Sequence, residues 1–218
     1  MKTIGIIGTG AIAPAYMQGM SAFPEQVRVL ACADINRERA EAFAMKHQLQ
    51  AMSIDTLLAR DEIDIVLNLT IPAVHAEVSM QILEAGKHAY LEKPLAVTLE
   101  DGRAVMALAA EKGLQVACAP DTFLGSGGQT ARRLIDEGAI GRPVSTNVFM
   151  MGHGPDPWHP NPFFYYVEGG GPMLDMGPYY LTALINLLGS VTMVAGMTNR
   201  AYDNRTAGHE AIRGQNIP

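Results

Sequence analysis

From residue 2 to about 120 the chain alternates short, nearly continuous apolar runs with longer stretches of helical periodicity. Apolar runs at 2–7, 27–33, 64–69, 87–91 and 115–118 predict strands, and 11–20, 36–47, 53–59, 75–85 and 98–112 predict helices. The punctuation between them agrees. Asn36 and Thr98 stand where N-caps belong, and Gly86 and Gly113 stand where helices end. A run such as Asp64-Ile65-Val66-Leu67-Asn68-Leu69 shows no clean polar alternation, which suits a strand covered on both faces of a parallel sheet. Alternating elements of this length predict a doubly wound α/β sheet.

Past residue 120 the texture changes. A helix is expected over Gln129 to Glu137, opened by Gly125-Ser126-Gly127-Gly128, and a strand over Arg142 to Met151. A loop rich in Gly, Pro and aromatic residues runs from Gly152 to Gly171. A helix from Pro172 to Leu188 and a strand from Val191 to Met197 come next, then a polar, irregular tail from Thr198. Two strands and two helices make a poor independent unit, because a two-stranded sheet is marginal. The expected organisation is a first domain over 1–120 and a partial α/β domain over 121–218.

Composition narrows the classes. Of 218 residues 48% are apolar, which supports a substantial core and excludes global disorder. The formal charge of −6, with no basic run, argues against nucleic acid as the main partner. The first strand begins at Lys2, leaving no room for a signal peptide, and no apolar run approaches the ~20 residues of a membrane span. Cys32 and Cys118 lie in apolar runs and read as reduced core thiols of a cytoplasmic protein. No metal-ligand spacing is present, so no metal is expected.

The most specific chemistry lies at the first turn, where an apolar strand leads into Gly8-Thr9-Gly10-Ala11-Ile12-Ala13. This is the dinucleotide fingerprint in its strand–turn–helix context. Gly8 permits the tight turn, Gly10 lets a pyrophosphate approach the backbone, and Ala13 lets the helix pack closely. Phosphates would meet free N–H groups there, around Ala11 and Ile12. Asp34 ends the second strand, where a carboxylate can accept from adenosine ribose hydroxyls and disfavours a 2′-phosphate. Asp34 therefore points to NAD, while Arg37 keeps NADP open as a phosphate partner.

Three further clusters carry polar chemistry. Pro72 and His75 come after the third apolar strand, at the sheet end where such folds bind ligands. Glu92-Lys93-Pro94 comes after the fourth, and a Lys there can hold a substrate hydroxyl or act as a base, oriented by Glu92. In Gly169-Gly170-Gly171-Pro172-Met173-Leu174-Asp175, the carboxylate stands four residues before Tyr179. Either one helix from Pro172 presents both side chains on one face, or a helix from Pro178 has Asp175 at its N-terminus. Trp158, His159 and neighbouring aromatics crowd one loop, as in a sugar-binding wall, a core plug or a subunit contact.

Together these residues resemble the Gfo/Idh/MocA family of NAD(P)-dependent sugar and cyclitol oxidoreductases. The resemblance is carried by the glycine fingerprint, Pro72 with His75, Gly86-Lys87-His88 leading to Glu92-Lys93-Pro94, and Gly169-Gly170-Gly171 leading to Asp175. It implies a Rossmann domain followed by an α/β domain, here incomplete, whose open sheet builds the substrate pocket and often a dimer interface. It also implies a catalytic Lys93 and an acid/base pair from the glycine-rich helix. Many members carry His four residues after the Asp; here that position is Tyr179. The expected activity is hydride transfer between a nicotinamide and the carbinol or carbonyl carbon of a sugar, sugar derivative or cyclitol. The expected cofactor contacts include Pro72, His75, Glu92 and Lys93, and the expected substrate contacts are Trp158, His159, Asp175 and Tyr179. The partners expected are that small molecule and other copies of the chain, with no nucleic acid and no membrane. Two other readings compete. One is a non-catalytic or degenerate nucleotide-binding protein, against which an intact Lys93 and Asp175 speak. The other is a methyltransferase on a similar sheet, which has no use for Glu92-Lys93-Pro94.

Overall fold

The structure, a computed structural model, describes residues 1–217. Its contacts divide it into a unit from Met1 to Ala119 and a unit from Pro120 onward. In the first unit one sheet is built from β1 (Lys2–Ile7), β2 (Val27–Ala33), β3 (Gln50–Ala51), β4 (Ile65–Asn68), β5 (His88–Leu91) and β6 (Val116–Cys118). Every pairing is parallel and the order is β3-β2-β1-β4-β5-β6, the doubly wound order of a Rossmann fold. The chain reverses direction across the sheet between β1 and β4. That switch point opens a crevice at the carboxyl ends of the strands.

The continuous apolar runs are explained by two buried clusters. Ile7, Ala31, Ala33 and Val66 belong to one, and Ile4, Ile6, Cys32 and Leu67 to the other. Consecutive side chains point to opposite faces, so a strand covered on both faces needs apolar residues at every position. The helices are α1 (Ala13–Met20), α2 (Arg37–His47), α3 (Ile54–Leu58), α4 (His75–Glu84) and α5 (Leu99–Lys112). Asn36 and Thr98 cap α2 and α5 as expected, accepting from Arg39 N–H and Asp101 N–H. β3 escapes a sequence reading because its two residues are both exposed and neither is strongly apolar.

The second unit holds α6 (Ser126–Asp136), α7 (Gly171–Asp175), α8 (Gly177–Leu188) and a small antiparallel pair, β7 (Arg205–Thr206) with β8 (Asn216–Ile217). From α6, Arg132 Nη1 donates to the Asn186 and Leu187 carbonyls at 2.8 and 2.7 Å and so caps the end of α8.

Four expectations for this region need correction. Residues 142–151 and 191–197 form no strand. Both carry apolar residues, yet among the described residues no neighbouring strand pairs with them, and a strand does not persist unpaired. Val144, Phe149, Met193, Val194 and Met197 are accordingly exposed. The helix expected from Pro172 to Leu188 is broken at Met176, two residues before Pro178, whose ring and missing N–H interrupt the ladder. The tail is less irregular than expected, since it carries β7 and β8.

Candidate functional site

At the switch point the first turn is fixed by its neighbours. Gly8 N–H donates to Ala33 O at 2.9 Å and Leu69 N–H to Ile7 O at 2.8 Å. Gly8 has φ +97°, and a Cβ there would lie 2.6 Å from the Leu69 carbonyl, so only glycine fits. Gly10 differs: a Cβ on it would meet nothing within 4 Å. The space above Gly10 is open, Ala11 and Ile12 are exposed beside it, and Ala13 is fully buried beneath the helix. That pattern, closed below and open above at the start of an eight-residue helix, fits a dinucleotide pyrophosphate.

Asp34 sits beside this turn with its side chain 2% exposed. Its Oδ2 accepts from Thr9 N–H at 2.7 Å and Thr9 Oγ1 at 2.9 Å, and its Oδ1 accepts from Asn36 N–H at 2.8 Å. Arg39 adds a fork, Nε to Oδ2 at 3.1 Å and Nη2 to Oδ1 at 2.6 Å. Burial pushes this carboxyl up, but Arg39 and the Thr9 and Asn36 amides outweigh it and hold it at about 2. Arg37, which kept NADP open, is an exposed helix side chain that donates to Glu41 at 2.8 Å on α2. The cation at Asp34 is thus Arg39. Asn36 was legible as the cap, and placing Arg39 three residues after it was the missed step.

Beyond β4 and β5 the structure separates a surface from its foundation. Pro72 opens a short 3-10 turn, Pro72–Val74, at the carboxyl end of β4 and is half-buried. His75, expected to contact a cofactor, is fully buried, and its ring faces the Thr70 and Pro94 carbonyls. Glu92 and Lys93 are half-buried at the end of β5. The Glu92 carboxylate accepts from Tyr16 Oη at 2.8 Å and from the Lys93 backbone N–H at 3.1 Å. Glu92 therefore ties α1 to the Lys93 backbone, and Tyr16 is a residue that sequence reading missed. Lys87, one strand-length earlier, is buried, with its ammonium donating to the Arg60 and Ile63 carbonyls at 2.6 and 3.0 Å. Cys118, beside Glu92, is pushed up to about 12 by burial and then by the Glu92 charge, so its thiol is inert as a nucleophile.

In the second unit Asp175 ends α7 and Tyr179 lies in the first turn of α8, its N–H donating to Met176 O at 3.1 Å. Asp175 lies near the Tyr165 phenol, whose pKa is raised by burial and by the Asp175 charge. The aromatic loop is one edge-to-face series: Trp158 to His159, His159 to Phe164, Phe164 to Tyr165, and Tyr165 to Tyr166, at centroid spacings of 5.4, 5.1, 6.2 and 5.3 Å. Trp158 is two-thirds exposed at one end of it. At the other end Tyr166 Oη donates to the buried Asp156 at 2.5 Å, and Arg205 Nη1 reaches the same carboxylate oxygen at 2.9 Å. Tyr165, Tyr166, His153, Arg200 and Arg205 line a cavity of about 670 Å³ that does not include Trp158 or His159. Tyr165, one of the aromatic residues of that loop, lines the cavity and lies near Asp175.

Residues 2–119 match the model of an oxidoreductase family with an NAD-binding Rossmann fold, and residues 129–212 match that of the GFO/IDH/MocA C-terminal domain. The chain is 31% identical over 205 residues to a dTDP-3,4-didehydro-2,6-dideoxy-alpha-D-glucose 3-reductase of Saccharopolyspora spinosa, covering 92% of this chain and 60% of that protein. It is 30% identical over 151 residues to a 1,5-anhydro-D-fructose reductase of Ensifer adhaerens, covering 68% and 45%. Among solved structures, a levoglucosan dehydrogenase in complex with NADH and L-sorbose superposes with a TM-score of 0.83 at 25% identity. That match covers 100% of this chain and 61% of the dehydrogenase. The chain spans about half the length of the curated relatives it matches.

Proposed function

The chain belongs to the Gfo/Idh/MocA oxidoreductase family, and on that premise we propose that it is a NAD(P)-dependent dehydrogenase of a sugar, sugar derivative or cyclitol. One observation carries this reading: an open Gly10 turn and a buried, ionised Asp34 share the switch-point crevice, with Lys93 at the next strand end but one. Residues 1–120 serve as the dinucleotide-binding domain, and 121–218 contribute part of the substrate domain.

In this reading the pyrophosphate lies on the Gly8–Ile12 turn and a ribose hydroxyl takes the place of an Arg39 donor at Asp34. When bound, the nicotinamide supplies the site that takes or returns a hydride. Lys93 holds the reacting hydroxyl oxygen and stabilises negative charge as it develops there. The hydroxyl proton goes to Tyr179 or Lys93. Trp158 and His159 supply an apolar face and a polar edge of the kind that sugars use. Tyr165 adds a phenol beside Asp175.

Appearance of NADH from NAD⁺ with a panel of aldoses, anhydrosugars and inositols tests the proposal. Turnover with at least one, lost in Lys93→Ala while NAD⁺ still binds, supports it. Binding of the dinucleotide without turnover of any of them overturns the substrate assignment.

A further inference from the structure

A fully buried histidine occupies the floor between the two loops on which the proposed chemistry depends. His75 Nδ1 lies 2.7 Å from Pro94 O and Nε2 lies 3.1 Å from Thr70 O. Carbonyl oxygens only accept and a neutral imidazole carries one N–H, so one of the two contacts is a hydrogen bond. The shorter contact falls on Pro94, itself buried and next in the chain to Lys93.

The histidine is held in turn from below. Asn68, fully buried, donates through Nδ2 to His75 O at 2.9 Å and to Ser79 Oγ at 3.1 Å. Its Oδ1 accepts from Thr70 Oγ1 at 2.5 Å. Asn68, His75 and Ser79 all have zero exposure. Buried polar groups of this kind persist only when bonded, so the network fixes one geometry. Its upper side is the dinucleotide turn: a Cβ on Gly8 would lie 2.6 Å from the Leu69 carbonyl and 2.9 Å from Thr70 N. Gly8 thus rests on the segment that Asn68 ties to His75 and, through the His75 ring, to Pro94.

We propose that His75 is a positioning residue that locks the Lys93–Pro94 corner to the Leu69–Thr70 segment beneath the dinucleotide turn. The proposal rests on the reading of Lys93 as the residue that meets the substrate hydroxyl. His75 itself touches neither cofactor nor substrate, because its ring is enclosed. Lys93 carries a long, flexible side chain with many rotamers. A fixed backbone corner narrows where its ammonium can be.

Two measurements on the 218-residue chain decide it, and neither needs nucleotide or turnover. The first is the ¹⁵N spectrum of the histidine ring in the wild-type chain, assigned with His75→Gln. A protonated Nδ1 is expected, and a bare Nδ1 would overturn the proposal even if no variant folds. The second is competitive trace acetylation read by peptide mass spectrometry, comparing Lys93 with the exposed Lys46 of α2. In His75→Leu, with native circular dichroism, the Lys93 to Lys46 labelling ratio should rise about fivefold as the corner loosens. His75→Gln, which keeps a donor, should restore much of the difference. An unchanged ratio in folded His75→Leu would overturn it. Failure of the oxidoreductase reading would show separately, as a wild-type chain that binds no NADH.

Discussion

Arg39 grips Asp34 through two nitrogens, at 2.6 and 3.1 Å, while its own side chain stays half exposed. The carboxylate alone would repel a 2′-phosphate; paired, it presents little net charge, and the guanidinium can turn to a phosphate. Arg39→Ala should therefore weaken NADP(H) about tenfold while leaving NAD(H) nearly unchanged. Arg37→Ala should change neither, because Arg37 is engaged with Glu41. Fluorescence titration with both reduced nucleotides measures this. Equal loss of both in Arg39→Ala would make the pair a structural tie only.

Acid should unfold the first unit in a defined window. Asp34 and Asp64 are both lowered from an ordinary 3.8 to about 2. For Asp34 burial opposes the shift and Arg39 leads the groups that win; for Asp64 the Thr3 amide and hydroxyl and Lys2 act. A depressed carboxyl contributes stability that is full above its unfolded value and lost as pH falls through its folded value. Urea midpoints should thus hold down to pH 4 and drop between about 4 and 2. Asp34→Asn should remove about 2 kcal/mol at neutral pH and flatten that drop.

The two fingerprint glycines should behave differently. Gly8→Ala forces a Cβ against the Leu69 carbonyl at positive φ and should cost several kcal/mol, roughly 2–4. Gly10→Ala meets open space and should leave the unfolding free energy within about 0.5 kcal/mol of wild type. Comparable losses in both would show that the turn is not seated on Leu69.

In the second unit Asp156→Ala should loosen the loop at 152–166. It removes the carboxylate shared by Tyr166 and Arg205 and should cost about 2–4 kcal/mol. Limited proteolysis should then cut near Trp158 before any site in α8. Protection equal to wild type would mean that the aromatic series alone holds the loop.

The sheet was legible in the sequence because period and punctuation are local: Ile6 and Ile7 fill opposite faces, and Asn36 and Thr98 cap the helices that begin beside them. The Gly8 turn was readable because its chemistry is contiguous. Tyr16 with Glu92, and Asp156 with Arg205, were not, since each pair is distant in sequence and meets only in the fold. His75 was found by position, but its full burial was not legible, because burial is a tertiary property. The strands expected at 142–151 and 191–197 failed for a related reason: apolar content states what a segment would bury, and pairing depends on another segment.

Those two segments make association the expected state of this chain. Val144, Phe149, Met193, Val194 and Met197 present apolar surface with backbone groups outside any sheet. Light scattering should give a mass above that of one chain. A monomer at all concentrations would contradict this.

The central claim is that the Gly8–Gly10 turn holds a dinucleotide, and NADH titration of the wild-type chain beside Gly10→Leu tests it most directly. Leucine should be tolerated where a Cβ meets nothing within 4 Å, yet it fills the space that a pyrophosphate needs. The account predicts saturable NADH fluorescence enhancement in the wild type, and its loss in a Gly10→Leu variant that unfolds at the wild-type urea midpoint. A wild-type chain that binds no NADH, or a Gly10→Leu variant that binds it equally well, would contradict the account.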